Sequence, residues 1–439
     1  YGLARGTIVG AFERLKVEGY LKGAVGSGTH VNDVLPDELL QVAVPPGQTP
    51  PARRKAPRRV SGYGRRVTAF PASEPRPIRA FRANLPAVEL FPTALWAQVT
   101  ARRLRRASSD LLLDCEPLGY RPLRDAVADY LATSRGVQCV ADQVAIVSGV
   151  QEALDLAARL LLNPGDRACM ENPGYVGASI VFAAVGARIA AVPVDEEGMV
   201  LPGPRLRDAR LVYVTPAHQF PLGTTMSLPR RLALLEWARR CGALIFEDDY
   251  DGEYRYTGRP VPALQGLDRA GQVLFAGSFS KVLFPSLRLG YLVIPPDLVA
   301  SFEATKSVTN RHATLLEQAV LCDFMTAGHF SRHVRRMRDV YAERLSALLE
   351  AARERLTGLL DISSIEAGLQ TVGWLGNGMT GEAAATAAAG RGVEVTPLGR
   401  YYRGRMPREG LQLGFAALTT DEIRRGVREL TGALERRYG

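Results

Sequence analysis

Between about residue 80 and residue 297, this 439-residue chain alternates short apolar segments with stretches of helical period. That alternation limits the possible folds more than any other feature. The segments "VAIV" (144–147), "LVYV" (211–214), "ALIF" (243–246), "VLFA" (273–276) and "LGYLV" (289–293) are too short for buried helices and lack polar alternation. They predict strands covered on both faces. Between them, "LRDAVADYL" sets Leu123, Val127, Tyr130 and Leu131 at helical spacing. "SGVQEALDLAARLLLNPG" reads as a helix stopped at Asn163-Pro164-Gly165, and "SLPRRLALLEWARRCG" opens on a Ser cap and closes at Gly242. The expected class is α/β, a mostly parallel sheet with helices on both faces. Ligands of such sheets bind beyond the carboxyl ends of the strands.

The two ends of the chain differ from this middle. Beyond residue 297 helices dominate. Ser331 is placed to cap a long one carrying Val334, Met337, Tyr341, Leu345 and Leu348 on one face, and "EAAATAAAG" (382–390) predicts another helix. Residues 1–32 form a small unit: Thr7 is placed to cap a helix bearing Ile8, Phe12 and Leu15, and Gly19 ends it. Tyr20-Leu21 and Thr29-His30-Val31 then read as strands joined through Gly26-Ser27-Gly28. Residues 33–78 lose apolar periodicity, and "PARRKAPRRVSGYGRR" (51–66) carries Arg53, Arg54, Lys55, Arg58, Arg59, Arg65 and Arg66 with no acid. A semi-stiff linker is expected there. A chain that opens on Tyr1, in the middle of a motif, reads as a piece of a longer protein. The expected division is a partial N-terminal unit at 1–32, a linker at 33–78, a large domain at 79–328 and a small α+β lobe at 329–439.

Charge leaves the partner open. The net charge of +10 suits a polyanion, but it equally suits a genome that favours Arg codons. No apolar run is long enough to span a membrane, and Tyr1 to Lys16 lacks the pattern of a signal peptide. The five cysteines, at 115, 139, 169, 241 and 322, show neither paired nor metal-type spacing. A reducing cytoplasm without disulfides fits that scatter.

Three strand ends carry candidate chemistry. After "VAIV", Ser148-Gly149-Val150-Gln151 opens a helix, whose free N–H groups favour a phosphate. After "ALIF", "EDDYDGEY" (247–254) offers an acid that could be a metal ligand, a partner for a protonated ring nitrogen or plain loop charge. No His or Cys stands close by, which argues against a metal. After "VLFA", "GSFSKVLFPSLRLGY" (277–291) holds Ser278, Ser280, Lys281 and Arg288. Two hydroxyls and a guanidinium suit a phosphate, and a Lys beside it can form a Schiff base with a carbonyl. Together the three supply a phosphate cup, a carboxylate for a pyridinium nitrogen and an amine for an aldehyde, which are the needs of pyridoxal 5'-phosphate. Nearby positive charge is expected to lower the Lys281 pKa.

Several motifs in order then resemble the MocR group of GntR-type transcription regulators, which join a winged helix-turn-helix to a domain like the fold-type-I aminotransferases. They run from "ARGTIVGAFERLKVEGYLKGAVGSGTHV" through "LFPTALW", "GYRPLRDAVADYL", "ENPGYVGA", "TPAHQFPLG", "EDDYDGEYRY", "GSFSKVLFPSLRLGY" and "GHFSRHVRRMRDVYAERL" to "LQLGFAAL". The resemblance implies that Lys281 forms the internal aldimine, Asp248 pairs with the pyridine nitrogen and Tyr250 bonds the ring hydroxyl. It implies that Ser278, Ser280, Arg288 and the backbone of Gly149, Val150 and Gln151 hold the phosphate. Tyr175 would stack on the ring, and His218 to Pro221 would line its other edge. At the N-terminal end, Arg5 and Thr7 would face DNA bases and Ser27, Gly28 and Thr29 would form the wing tip against phosphates. A homodimer is implied as well.

Two departures stand out. Asp114 occupies a position where related domains carry an aromatic residue reaching the partner subunit's phosphate. In "GLQLGF", Gln412 or Leu411 stands where an arginine carboxylate clamp is expected; Arg400, Arg403 and Arg405 are the nearby substitutes, and Gly177 offers none. The leading expectation is a double-stranded-DNA-binding regulator that senses an amine or amino acid effector through Lys281. The alternatives are an active aminotransferase with a vestigial DNA-binding head, and a cofactor-free dimerising domain.

Overall fold

The computed structural model describes the chain except Tyr1, Leu3, 25–27, 34–58, 68–76, Asp114, 257–260, Asn377 and Gly439, and except the side chains of Ala24, Asp110 and 436–438. Two compact units result, Tyr1–Arg59 and Val60–Gly439.

In the first unit a helix spans Arg5–Val17, followed by strands β1 (Leu21–Ala24) and β2 (Gly28–Val31), which pair antiparallel. Thr7 does not cap the helix: Ala4 holds the N-cap position, and no side chain closes that end. A capping residue must stand outside the helix with extended backbone, and Thr7 lies inside the first turn. Ile8, Phe12 and Leu15 are exposed, as are Arg5, Thr7 and Thr29. Gly28 takes a φ of 88°, and Ser27 and Gly26 lie outside the described residues.

In the second unit eight strands form one sheet: β3 (Val144–Val147), β4 (Arg167–Asn172), β5 (Arg188–Asp195), β6 (Gly198–Met199), β7 (Ala209–Val214), β8 (Leu244–Asp249), β9 (Val273–Ser278) and β10 (Gly290–Val293). Their order is β3-β10-β9-β8-β7-β4-β5-β6. The β9-β8-β7-β4-β5 run is parallel, whereas β10 is antiparallel to both of its neighbours and β6 to β5. Strand period decides what each side buries. Leu211, Tyr213 and Phe246 join a core under the helices Val150–Leu161 and Val176–Val185, while Val212, Val214 and Ile245 join the core of the opposite face.

The small sheet follows, with β11 (Leu360–Ile362), β12 (Gln370–Leu375), β13 (Thr396–Pro397) and β14 (Gly410–Gly414) in the order β11-β12-β14-β13. The long helix before it starts at His329 behind Gly328, whose φ is 73°, so Ser331 sits within its first turn and is not the cap. "EAAATAAAG" forms the helix Gly381–Ala389, capped by Thr380, whose hydroxyl accepts from the Ala383 N–H. The proposed linker also differs from a bare tether. Gly62–Val67 is helical, Arg159 donates to the Tyr63 hydroxyl at 2.6 Å, and Arg66 donates to the Ala184 carbonyl at 2.9 Å. Arg53, Arg54, Lys55 and Arg58 lie outside the described residues.

Under the strand ends lies a buried ion pair. Arg135 Nε donates to Asp249 Oδ2 at 2.6 Å, and its Nη1 donates to the Gly252 carbonyl at 3.1 Å. Both side chains are buried. Arg135→Leu leaves Asp249 buried without a counter-charge and should cost about 3 to 5 kcal/mol in urea unfolding. Adding Asp249→Leu should recover most of that loss.

Candidate functional site

The carboxyl edge of the large sheet opens into a cavity of about 370 Å³ lined by Gly149, Val150, Gln151, Tyr175, Asp248, Tyr250, Ser278, Ser280, Lys281 and Arg288. Ten residues singled out from sequence therefore meet in one space, though they lie far apart along the chain. The reversed strand β10 explains part of this. Its amino end, not its carboxyl end, lies at that edge, so Arg288 just before it returns to the ends of β3 and β9. Arg288 itself holds a φ of 50°, a left-handed conformation rare for a side chain of its size.

The cup is built on a helix end. Gly149 caps Val150–Leu161 with a φ of 134°, and a Cβ there would stand 3.6 Å from the Arg288 guanidinium. The first N–H groups of a helix lack partners inside it, and the helix dipole adds positive potential to that of Arg288. Ser278 caps the short turn Phe279–Val282, its hydroxyl accepting from the Ser280 N–H at 3.2 Å. The Ser280 hydroxyl is buried without a partner. An anion with several acceptor oxygens suits this set.

Opposite lies an acid. Within "EDDYDGEY" the strand period sends Asp248 to the cavity while its neighbours are tied down elsewhere. Glu247 accepts from the Leu264 and Gln265 N–H groups at 2.7 and 2.8 Å, and Asp249 pairs with Arg135. Asp248 Oδ2 accepts from the Tyr213 hydroxyl at 2.7 Å, and Oδ1 is buried without a partner. Burial raises its pKa to about 7, with Tyr213 pulling the other way. A protonated ring nitrogen against Oδ1 would supply the missing donor.

Lys281 Nζ donates to the Asn84 carbonyl at 2.7 Å. Its pKa falls to about 8, and the leading cause is burial, which Asp251 and Asp248 oppose and Arg288 assists. Neighbouring positive charge therefore lowers it as expected from sequence, but as a lesser cause than burial. Tyr175 donates to Gln151 Oε1 at 3.1 Å and packs edge-on against Phe220. Gly177 makes that position possible, because a Cβ there would lie 2.4 Å from the Tyr175 ring.

His218 does not line the cavity. It lies buried behind Tyr250, with Nδ1 at 3.0 Å from Asp251 Oδ2 and 3.0 Å from the Tyr250 hydroxyl, and with Nε2 unpartnered. Gly368 packs so closely on it that a Cβ would stand 2.0 Å from the ring. A buried N–H without an acceptor costs more than a bare ring lone pair, so the neutral tautomer carries its proton on Nδ1 and gives it to Asp251. The Tyr250 hydroxyl is then free to donate into the cavity. Burial holds its pKa well above the ordinary phenol value, so it stays protonated. Phe220, from the same "TPAHQFPLG" stretch, does line the cavity.

Asn84, Tyr213 and Pro285 line the cavity too, and sequence reasoning missed them. Tyr213 carried one available signal, a polar-tipped aromatic in an otherwise aliphatic strand. The proposed carboxylate substitutes lie elsewhere: Arg400 grips Glu382 with two bonds of 2.9 Å, and Arg403 and Arg405 are exposed. Asp114 lies outside the described residues. Among the described residues no cluster of His, Cys, Asp or Glu could hold a metal, and no helix is long and apolar enough to cross a membrane.

Residues 89–430 match the family model for aminotransferase class I and II. Over 433 residues the chain is 40% identical to the probable rhizopine catabolism regulatory protein MocR of Rhizobium meliloti, covering 98% of this chain and 86% of that one. The kynurenine aminotransferase of Pyrococcus horikoshii, solved with PMP, superposes with a TM-score of 0.76 at 28% identity, covering 87% of this chain and 96% of that one. The alpha-aminoadipate aminotransferase of Thermus thermophilus, complexed with N-(5'-phosphopyridoxyl)-L-leucine, gives a TM-score of 0.75 at 31% identity, covering 82% and 92%. Pyridoxal 5'-phosphate is the cofactor of this site, and the orphaned Asp248 Oδ1, the anion cup and the buried Lys281 amine fit its three functional ends.

Two outcomes follow from this geometry. Gly177→Ala should push Tyr175 out of its place and weaken cofactor binding by about tenfold, read by equilibrium titration, while the melting temperature stays near that of the parent. Only the free amine adds to a carbonyl, so the rate at which apo-protein takes up the cofactor should climb as pH rises through about 8. A stopped-flow absorbance series at constant ionic strength measures it.

Proposed function

The chain belongs to the class I and II aminotransferase family and to its MocR group of GntR-type regulators, and from that premise we propose that it is a DNA-binding regulator whose cofactor site senses an amine. The observation that carries this reading is the similarity over 98% of the chain to a regulatory protein, together with a helix and two-stranded hairpin ahead of the cofactor unit. In this reading the exposed Arg5 and Thr7 face base edges, and the hairpin tip with Gly28 and Thr29 approaches phosphates. Two units per dimer suit a two-fold operator. Leu112 and Leu113, about three-quarters exposed on the cofactor unit, support such pairing.

The residues divide the work at the cofactor site. The helix end at Gly149, with Ser278, Ser280 and Arg288, holds the phosphate. Asp248, steadied by Tyr213, keeps a proton on the ring nitrogen. Tyr250, with His218 and Asp251 behind it, donates to the ring hydroxyl, and Tyr175 packs against the ring. The bound cofactor supplies a carbonyl carbon for which Lys281 and an incoming amine compete. Lys281 Nζ donates to the Asn84 carbonyl at 2.7 Å, an acceptor that would hold the amine whenever it is not engaged with the cofactor, and the Asn84 N–H is held by Gln370 of β12 at 2.9 Å. Lys281 is thereby linked to the small sheet, the path by which occupancy would reach the rest of the protein.

The intact donor set also suits a second reading, a working aminotransferase. Duplexes selected from a random pool give the operator, and its affinity is then measured with a panel of amines present and absent. An affinity that changes at least about fivefold with one amine, and not in Lys281→Ala, is the expected result. Sustained turnover with an oxo acid and no effect on DNA affinity would establish the enzyme instead.

A further inference from the structure

The helix that forms the anion cup carries an acid in its first turn. Gly149, Val150 and Gln151 line the cavity, and Glu152 follows them on Val150–Leu161. An acid in the first turn steadies a helix, because it meets the positive end of the dipole. At a cup for an anion the same charge is a fault. Left alone, it would oppose the potential with which the helix end and Arg288 attract a phosphate.

Glu152 is turned to a different use. Its Oε2 accepts from the Ser148 N–H at 2.7 Å and from the Ser148 hydroxyl at 2.5 Å. These bonds brace the turn between β3 and the helix, where Gly149 holds a φ of 134° and a Cβ would meet the Arg288 guanidinium. Its Oε1 accepts from Lys306 Nζ at 2.7 Å and from Asn310 Nδ2 at 3.0 Å. Lys306 stands on the helix Val299–Thr309 and is only 1% exposed; its amine donates also to Asn310 Oδ1 at 3.3 Å. A lysine is almost never buried so fully unless an acid pairs with it. Burial acts to raise the Glu152 pKa, but Lys306 and the Ser148 bonds outweigh it and hold the acid below its ordinary value. Glu152 is therefore ionised at neutral pH, and the Lys306 ammonium is the charge that offsets it.

We infer that Lys306 is a positioning residue for the cofactor phosphate: it holds Glu152 against the Ser148 turn and cancels the Glu152 charge, so that the helix end and Arg288 face the phosphate unopposed. Neither Lys306 nor Glu152 is among the residues that line the cavity, so the action passes through Ser148 and through the field. This rests on the reading of Gly149, Val150 and Gln151 as the phosphate cup. It holds equally for a regulator and for an aminotransferase.

The full chain, freed of cofactor, is titrated with pyridoxal 5'-phosphate and with pyridoxal, which lacks the phosphate. The ratio of the two affinities reads the cup, because the ring contacts are common to both ligands. Lys306→Met should weaken pyridoxal 5'-phosphate by about tenfold while pyridoxal stays within about twofold. Glu152→Gln keeps an oxygen for the Ser148 N–H but removes the charge, and should move the ratio the other way, severalfold in favour of the phosphate ligand. The two substitutions together should bring the ratio back close to that of the parent, and Lys306→Arg should keep it there. A purely structural role would weaken both ligands alike in either single variant. Opposite signs in the two single variants are thus the expected result, and a ratio that falls in both, or moves in neither, overturns the inference. If Lys306→Met does not fold, Glu152→Gln decides by itself: a ratio that fails to rise overturns the inference. A parent that binds pyridoxal as tightly as its phosphate overturns the cup reading as well.

Discussion

Everything at the carboxyl edge depends on how the acids of one strand end are divided. Five carboxylates crowd residues 247–253, all buried. Glu247 is absorbed by backbone N–H groups, Asp249 by Arg135, Asp251 by His218 and Glu253 by the Tyr130 hydroxyl. Like charges at such spacing could not all remain ionised without these partners. Asp249 and Glu253 each keep one oxygen without a partner as well, but of the five acids Asp248 is the one that lines the cavity, with its own unpartnered oxygen. The specificity of the site is thus set as much by what silences its neighbours as by Asp248 itself.

The sheet supplies the second condition. A uniformly parallel sheet would put an anion cup and an amine on adjacent edges, but it would not return a guanidinium to the same place within seven residues. Antiparallel β10 does so, wedged between β3 and β9. Arg288 ends that tight route from Lys281 with a left-handed backbone.

Much of this was legible in the sequence. Apolar segments 144–147, 211–214 and 273–276 lie within strands, 243–246 does so from Leu244 on, and Ser227 and Gly242 bound their helix as read. The strands β4 and β5 went unseen because "RACMEN" and "RIAAVPVD" mix charge with alanine and lack an apolar run. At the cavity, the residues found were those adjoining strand ends with distinctive chemistry. Those missed depend on contacts between distant segments: Asn84 meets Lys281 across 197 positions and Gln370 across 286. His218 was read one layer too far forward. Its chemistry marked it as functional, but only its contacts with Asp251, Tyr250 and Gly368 show that it stands behind Tyr250. Thr7 and Ser331 show a related limit, since a hydroxyl near a helix start does not reveal which turn comes first.

Asn84 joins Lys281 to the small sheet entirely through its main chain, accepting with its carbonyl and donating with its N–H, at a φ of 67°. The connection therefore belongs to a shape and not to a side chain. As far as this connection goes, drift at the position is filtered by tolerance of the left-handed backbone, so glycine should keep the link and a β-branched residue should not. The junction between sensor and small sheet is in this way insulated from the changes in side-chain chemistry by which related proteins would come to recognise new ligands.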